Sequence, residues 1–182
     1  MIMSVIKRYS LQLIFTLSLL LGLQLPNLLQ QYELRLQGHF SEAELQLAHF
    51  QSLADVYFSG DIQALVQKHR NSEINLFQDE AQVIEASYLR VQFLQKKIDN
   101  MSQPVWYRLI ALVQEIKQPI FNETWQSYQA NIVLNQQAIT VGISIAVVLT
   151  LVFELFCYFI GSLVLFLFSY IKKIIKPEHH SI

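Results

Sequence analysis

From residue 139 to residue 171 the chain runs for 33 residues with a single charged member, Glu154. A helix needs roughly 20 apolar residues to cross the hydrocarbon core of a bilayer, so this run is long enough to be a membrane span with turns to spare. A second run, 9–25, is shorter and carries no charge; Gln12 and Gln24 near its ends are its costliest groups. It is expected to form the first span. A cleaved leader also begins with a basic segment and an apolar core, but no small-x-small cleavage site follows this one, and retention in the membrane is expected. Lys7 and Arg8 precede the first run, while Lys172, Lys173 and Lys176 follow the second. Basic flanks mark the cytoplasmic side and the membrane interface, so both termini are expected in the cytoplasm.

The organisation that follows is a cytoplasmic N-terminus at 1–8, a transmembrane helix at 9–26, a translocated domain at 27–137, a second transmembrane helix at 138–171 and a basic cytoplasmic tail at 172–182. The middle segment carries twelve acidic and eight basic residues, a net charge of −4. An acidic translocated domain between basic flanks agrees with the positive-inside bias. With no basic patch to neutralise phosphates, a nucleic-acid partner is not expected; lipid is the partner the apolar runs imply. The only cysteine, Cys157, lies in the second run, so an intramolecular disulfide is excluded.

Helix signals fill the middle segment and no two-residue alternation persists, which predicts an all-α membrane protein whose two spans carry a helical bundle. Leu28, Leu29, Tyr32 and Leu36 continue the first helix at three- and four-residue spacing, and Gly38 is expected to break it. Ser41 and Glu44 form a capping-box pattern that predicts a new helix over 42–58, with Leu47, Phe50, Ala54 and Tyr57 on its apolar face. Ser59-Gly60-Asp61 then ends one helix and opens a short one at 62–69. A longer helix is expected over 79–98, its face made by Ile84, Tyr88, Val91, Leu94 and Ile98, opposite Glu85, Arg90 and Lys97. Pro104 opens a further helix, with Trp106, Leu109, Val113 and Ile116 facing the core, that should stop before Pro119. Phe121, Trp125, Tyr128 and Ile132 step by four, three and four residues, predicting one stalk-like helix that runs from the outer domain through the second span.

Thirty-three residues extend about 50 Å, against a hydrocarbon core of about 30 Å. Tilt alone would require roughly 53°, past the roughly 40° upper limit of observed tilts. Two spans turning near Gly161-Ser162 would be only about 16 residues each, too short to cross. The surplus is therefore expected at the outer end, with residues 139–144 outside the bilayer and packed against protein.

The run QLPNLLQQYELRLQGHF at 24–40 resembles the entrance to an uncharacterised bacterial membrane-protein family, domain of unknown function 2937. The family pattern of Gln-x-Pro, Gln-Tyr, Arg-Leu and Gly-His is matched by Gln24, Pro26, Gln31, Tyr32, Arg35, Leu36, Gly38 and His39. ADVYFSGDIQALVQKHR at 54–70 is also similar. The resemblance implies a bacterial inner-membrane protein and carries over no activity; with both termini cytoplasmic, the translocated middle segment is then expected in the periplasm.

Glu154 is the residue with the most to explain, because an ionised side chain at mid-bilayer costs about 3 kcal/mol and usually faces protein or water. Thr150, Glu154, Cys157 and Gly161 follow at four-, three- and four-residue spacing, a small and polar stripe suited to helix packing. Glu154 reads either as a packing residue, hydrogen-bonded near Thr16 or Ser18 of the first span or to another subunit, or as a proton or cation relay. A relay normally uses several ionisable groups and this chain supplies one, although a ring of copies would multiply it. His39, Glu42 and His49 lack the spacing that places metal ligands on one helix face, and His179-His180 reads as a solvated tail, so no metal or other cofactor is expected. Trp106, beside Tyr107 and Arg108, fits an interfacial anchor as well as a bundle core. No phosphate-cradling glycine loop, nucleophile elbow or cysteine pair occurs. The expectation is a non-enzymatic oligomeric scaffold or accessory subunit, meeting copies of itself or a membrane-protein partner; a homo-oligomeric ion or proton pathway through Glu154 is the alternative.

Overall fold

The computed structural model describes residues 2–131 and 135–175; for 2–4 and 172–175 it describes only the helical backbone. Six helices follow in order: α1 Ile2–Phe58, α2 Ile62–Arg70, α3 Asn75–Asp99, α4 Val105–Gln114, α5 Pro119–Gln126 and α6 Gln136–Ile175, with a 3-10 turn Asn100–Ser102 before α4. No strand occurs among the described residues. The chain divides into two compact units, one formed by Met1–Pro26 with Asn131–Ile182, the other by Asn27–Ala130.

In the first unit the N-terminal part of α1 packs against α6. Glycine sets the contact: a Cβ on Gly22 would stand 2.9 Å from the Gly142 Cα, and one on Gly142 would stand 2.9 Å from the Leu23 side chain. Such closeness is what small residues permit where apolar helices meet. Ser18, Leu23, Ala138, Val141 and Ala146 are buried around it. Pro26 lies inside α1, one turn past Gly22, and its missing NH cannot serve the Gly22 carbonyl. The remaining surface of both helices is apolar and exposed, from Tyr9, Leu13 and Leu21 on α1 to Val148, Leu155 and Phe166 on α6. By length and composition, α1 and α6 are both able to cross a membrane.

The second unit is a helical bundle with two apolar clusters. In one, Leu28, Leu29, Tyr32, Leu36 and Ala43 of α1 meet Leu94, Leu112 and Phe121. In the other, Ala54 meets Ile62, Leu65, Val66, Ala81 and Ile84, with Leu47, Phe50, Phe58 and Tyr88 around them. The predicted face of α3 is thus divided between the two: Ile84 and Tyr88 go to one cluster, and Val91, Leu94 and Ile98 to the other. Between α1 and α2 the backbone reverses at Ser59 and Gly60, both with positive φ, and the Asp61 carboxylate caps α2 through the amides of Gln63 and Ala64.

Four sequence expectations are corrected. Gly38 does not break the helix, and Ser41 lies inside α1 rather than at a start. A helical glycine costs about 1 kcal/mol, which burial of Leu36 and Ala43 on either side can offset. Tyr57 is exposed, and Phe58 takes the core position, continuing the steps from Phe50 and Ala54. On α4 the packed residues are Val105, Leu109 and Leu112, leaving Trp106, Val113 and Ile116 exposed, so Trp106 is not bundle core. Finally, α5 ends at Gln126 and α6 begins at Gln136, so no single helix runs from Phe121 into the second apolar run; Ile132 lies outside the described residues.

The two glycines predict an ordered pair of effects. Gly22→Ala, whose new methyl meets backbone, should lower stability by about 1–3 kcal/mol. Gly142→Ala meets a leucine side chain that can rotate away, and should cost less. Thermal unfolding of the two variants in detergent would show the order; a reversed order would mean the helices are not in contact here.

Candidate functional site

Asn27, Gln31, Arg35 and His39 recur every four residues on α1 and form one polar edge. Each reaches across to α5 or to the non-helical residues that follow it. The Asn27 amide donates to the Tyr128 hydroxyl at 3.3 Å and to the Gln129 carbonyl at 3.1 Å. Gln31 donates to the same carbonyl at 2.8 Å and accepts from the Gln129 amide, closing a two-way bond with the backbone. Arg35 donates to the Ser127 hydroxyl and lies 3.6 Å from the Glu123 carboxylate. His39 Nε2 stands 2.9 Å from that carboxylate, while its Nδ1 is 3.9 Å from Glu42, which in turn pairs with Arg90 of α3. This ladder holds residues 123–129 along α1, where Phe121, Trp125 and Tyr128 stack in sequence.

The second polar group lies among α1, α3 and α4. Arg108 grips both oxygens of Glu33 through one nitrogen at 2.8 and 2.9 Å, and Lys97 pairs with Glu115. With Tyr32 and the apolar Leu29, Leu36 and Leu112 these side chains line a cavity of about 50 Å³, room for water rather than for a substrate. Burial pushes the Tyr32 hydroxyl up, reinforced by the neighbouring carboxylates of Glu115 and Glu33. Burial also holds the Glu33 carboxyl above its usual range, against the opposite pull of Arg108. At Glu123, by contrast, the hydrogen bond with His39 brings the carboxyl below its usual range, with Arg35 acting in the same direction.

The family-like residues therefore fall into two groups. Gln31, Arg35 and His39 belong to the ladder, and Tyr32 faces the cavity and the Phe121 ring. Gly38 is exposed with nothing within 4 Å of a Cβ, and lines an open groove with Arg35, His39 and Glu42. Gln24 and Pro26 lie on the α1 segment of the first unit. His49 is exposed and does not join His39 and Glu42. Among the described residues no three His, Cys, Asp or Glu side chains converge so as to hold a metal ion.

In the first unit, Glu154 pairs with Lys7 at 3.0 Å, not with Thr16, which bonds back to its own helix at Gln12, or with Ser18. Thr150 likewise bonds back to the Ala146 carbonyl, while Cys157 and Gly161 are exposed, and a Cβ on Gly161 would meet nothing within 4 Å. Gly142, Ala146, Thr150 and Glu154 follow at four-residue spacing on one face of α6: Gly142 and Ala146 pack against α1, Thr150 is half-buried and Glu154 meets Lys7. Arg8 is exposed, Lys172 and Lys173 continue α6, and Lys176 and His179-His180 lie outside the described residues.

Sequence reasoning missed Asn27, Glu33, Arg108, Glu123, Ser127 and Gln129. The four-residue polar recurrence from Asn27 to His39 was the available signal for one side of the ladder. Its partners stand 84 to 102 positions away and no local pattern marks them.

An all-helical chain with a polar-laddered bundle and two helices long and apolar enough to cross a membrane is the class that fold and site define. Within that class the chain belongs to the family described as protein of unknown function (DUF2937), whose model matches residues 6–165. No curated protein and no solved structure matches it significantly.

Two predictions follow from the paired charges. Arg108→Met alone leaves Glu33 half-buried without its cation and should cost about 3 kcal/mol, whereas the double change Glu33→Leu/Arg108→Met should stay within about 1 kcal/mol of the parent. Glu33→Gln should be the milder single change, because a raised carboxyl contributes stability below its unfolded range and loses it as pH rises through the raised value. Chemical unfolding at neutral pH would rank the three. For Glu123 the sign is opposite: its lowered carboxyl stabilises above the usual carboxylate range, near 4.3, and stops doing so as pH falls through the lowered value. Glu123→Gln should thus be less stable than the parent at pH 7 and converge with it in acid; a gap that stayed constant with pH would remove the His39–Glu123 bond as its cause.

Proposed function

We propose that this is a non-enzymatic scaffold or accessory subunit of the bacterial inner membrane, acting as an oligomer or beside a membrane-protein partner. In this reading α1 and α6 cross the bilayer, both termini are cytoplasmic and the bundle Asn27–Ala130 stands in the periplasm. The basic residues Lys7, Arg8, Lys172, Lys173 and Lys176 support that orientation, as does the acidic balance of the middle segment. Exposed Trp106 and Tyr107 on α4 suit contact with a headgroup layer or a partner.

The observation that carries the reading is the use to which the bundle's polar residues are put. Of the family-like positions Gln31, Arg35 and His39 engage α5 and the segment after it, and Glu33–Arg108 and Lys97–Glu115 link α1 to α4 and α3 to the end of α4, so these side chains hold the bundle together. Side chains engaged in this way build a platform. A relay through Glu154 would have to break its contact with Lys7 before a proton or cation could use the carboxylate.

Solubilisation in mild detergent followed by mass photometry should give particles larger than one chain, either copies of it or a complex with a co-purifying membrane protein. A strictly monomeric, partnerless particle in several detergents and in nanodiscs would overturn the reading.

A further inference from the structure

Glu33 of α1 meets Arg108 of α4, and Lys97 of α3 meets Glu115 one residue past α4. All four side chains are between 16% and 22% exposed, so the hydrogen-bonding capacity that pairing leaves over has little bulk water to turn to. A carboxylate can accept about four hydrogen bonds and an ammonium donates three. Glu33 takes two from a single Arg108 nitrogen, and Lys97 gives one to Glu115 while its nitrogen stands 4.6 Å from the Phe93 ring centroid. Both pairs border the same cavity of about 50 Å³. Tyr32 and Asn100 add polar side chains to its wall, and apolar side chains make up the rest. A water molecule needs about 10–15 Å³ of such space and two to four polar partners, and this cavity meets both conditions. A cavity lined by hydrocarbon alone stays dry; charged groups with bonds to spare reverse that balance.

We propose that this cavity is a hydration site in which ordered water bridges the Glu33–Arg108 pair to the Lys97–Glu115 pair and to the Tyr32 hydroxyl. α1, α3 and α4 are then joined by one polar network instead of two separate contacts. The water accepts from the Lys97 ammonium and donates to a carboxylate oxygen of Glu33 or Glu115. Burial and the neighbouring carboxylates push the Tyr32 hydroxyl up, so it keeps its proton and can donate as well as accept. This gives the hydroxyl a role distinct from that of the ring, which packs near Phe121 in the apolar cluster. A phenylalanine would fill the place of the ring and leave the bridge without one of its partners. The site lies wholly within Asn27–Ala130 and does not depend on which side of a membrane that unit stands.

Leu29, Leu36 and Leu112 line the cavity, so their methyl groups report on what fills it. In the full chain, deuterated except at leucine methyls and held in detergent micelles, long-lived water should give nuclear Overhauser cross-peaks to these three residues. Xenon, which enters dry apolar cavities, should leave their methyl shifts unmoved under pressure. Both measurements use the parent protein and need no variant to fold. Tyr32→Phe should then weaken the water cross-peaks several-fold while the dispersion of the other leucine methyls shows the bundle intact. Absent cross-peaks, methyl shifts that move with xenon pressure, or cross-peaks that Tyr32→Phe leaves at full intensity in an intact bundle overturn the proposal.

Discussion

One helix has to serve two different surroundings, and the rest of the structure depends on how α1 does so. Its first stretch, to Pro26, offers glycine, serine and leucine to a single neighbour, α6. The stretch after Pro26 offers Leu28, Leu29, Tyr32 and Leu36 to one cluster, and Leu47, Phe50 and Ala54 to another. In the first stretch Gly22 and Gly142 let two helices approach more closely than any larger residue would allow. In the second, large apolar side chains gathered in two clusters supply the cohesion. The change in residue size along one continuous helix follows the change in what that helix packs against.

Polar groups follow the same division. In the bundle they bridge elements: Asn27, Gln31, Arg35 and His39 hold the chain after α5, and Glu33 with Arg108 ties α1 to α4. In the apolar unit Thr16, Thr140, Ser144 and Thr150 bond back to carbonyls of their own helices, which satisfies their hydroxyls without a partner. Lys7 and Glu154 form a charge pair between helices in that unit. Pairing lowers the cost of a carboxylate in an apolar run and ties the register of α6 to the basic start of α1.

Much of this was legible from residue order, for reasons that differ from element to element. Ser59-Gly60-Asp61 announced the reversal before α2, since two positive-φ residues and a capping aspartate act within a few positions. The face of α3 was legible because amphipathic spacing is local. Gly38 misled because its intrinsic cost is local while the burial of Leu36 and Ala43 that outweighs it is not. The end of α5 was hidden for a related reason: Phe121, Trp125 and Tyr128 keep helical spacing, yet the chain leaves the helix where Gln31 and Asn27 bond the Gln129 backbone.

By itself the sequence determined the helical class, the two apolar runs and the charges that bound them, because uninterrupted apolar length and helical periodicity are properties of neighbouring residues. Only the tertiary structure decided that Lys7 meets Glu154, that Gly22 meets Gly142 and that α1 passes unbroken through Gly38. Those outcomes depend on which distant surfaces fit together. Close approach, burial and charge pairing between residues a hundred or more positions apart are set by shape in three dimensions, and no local pattern encodes them.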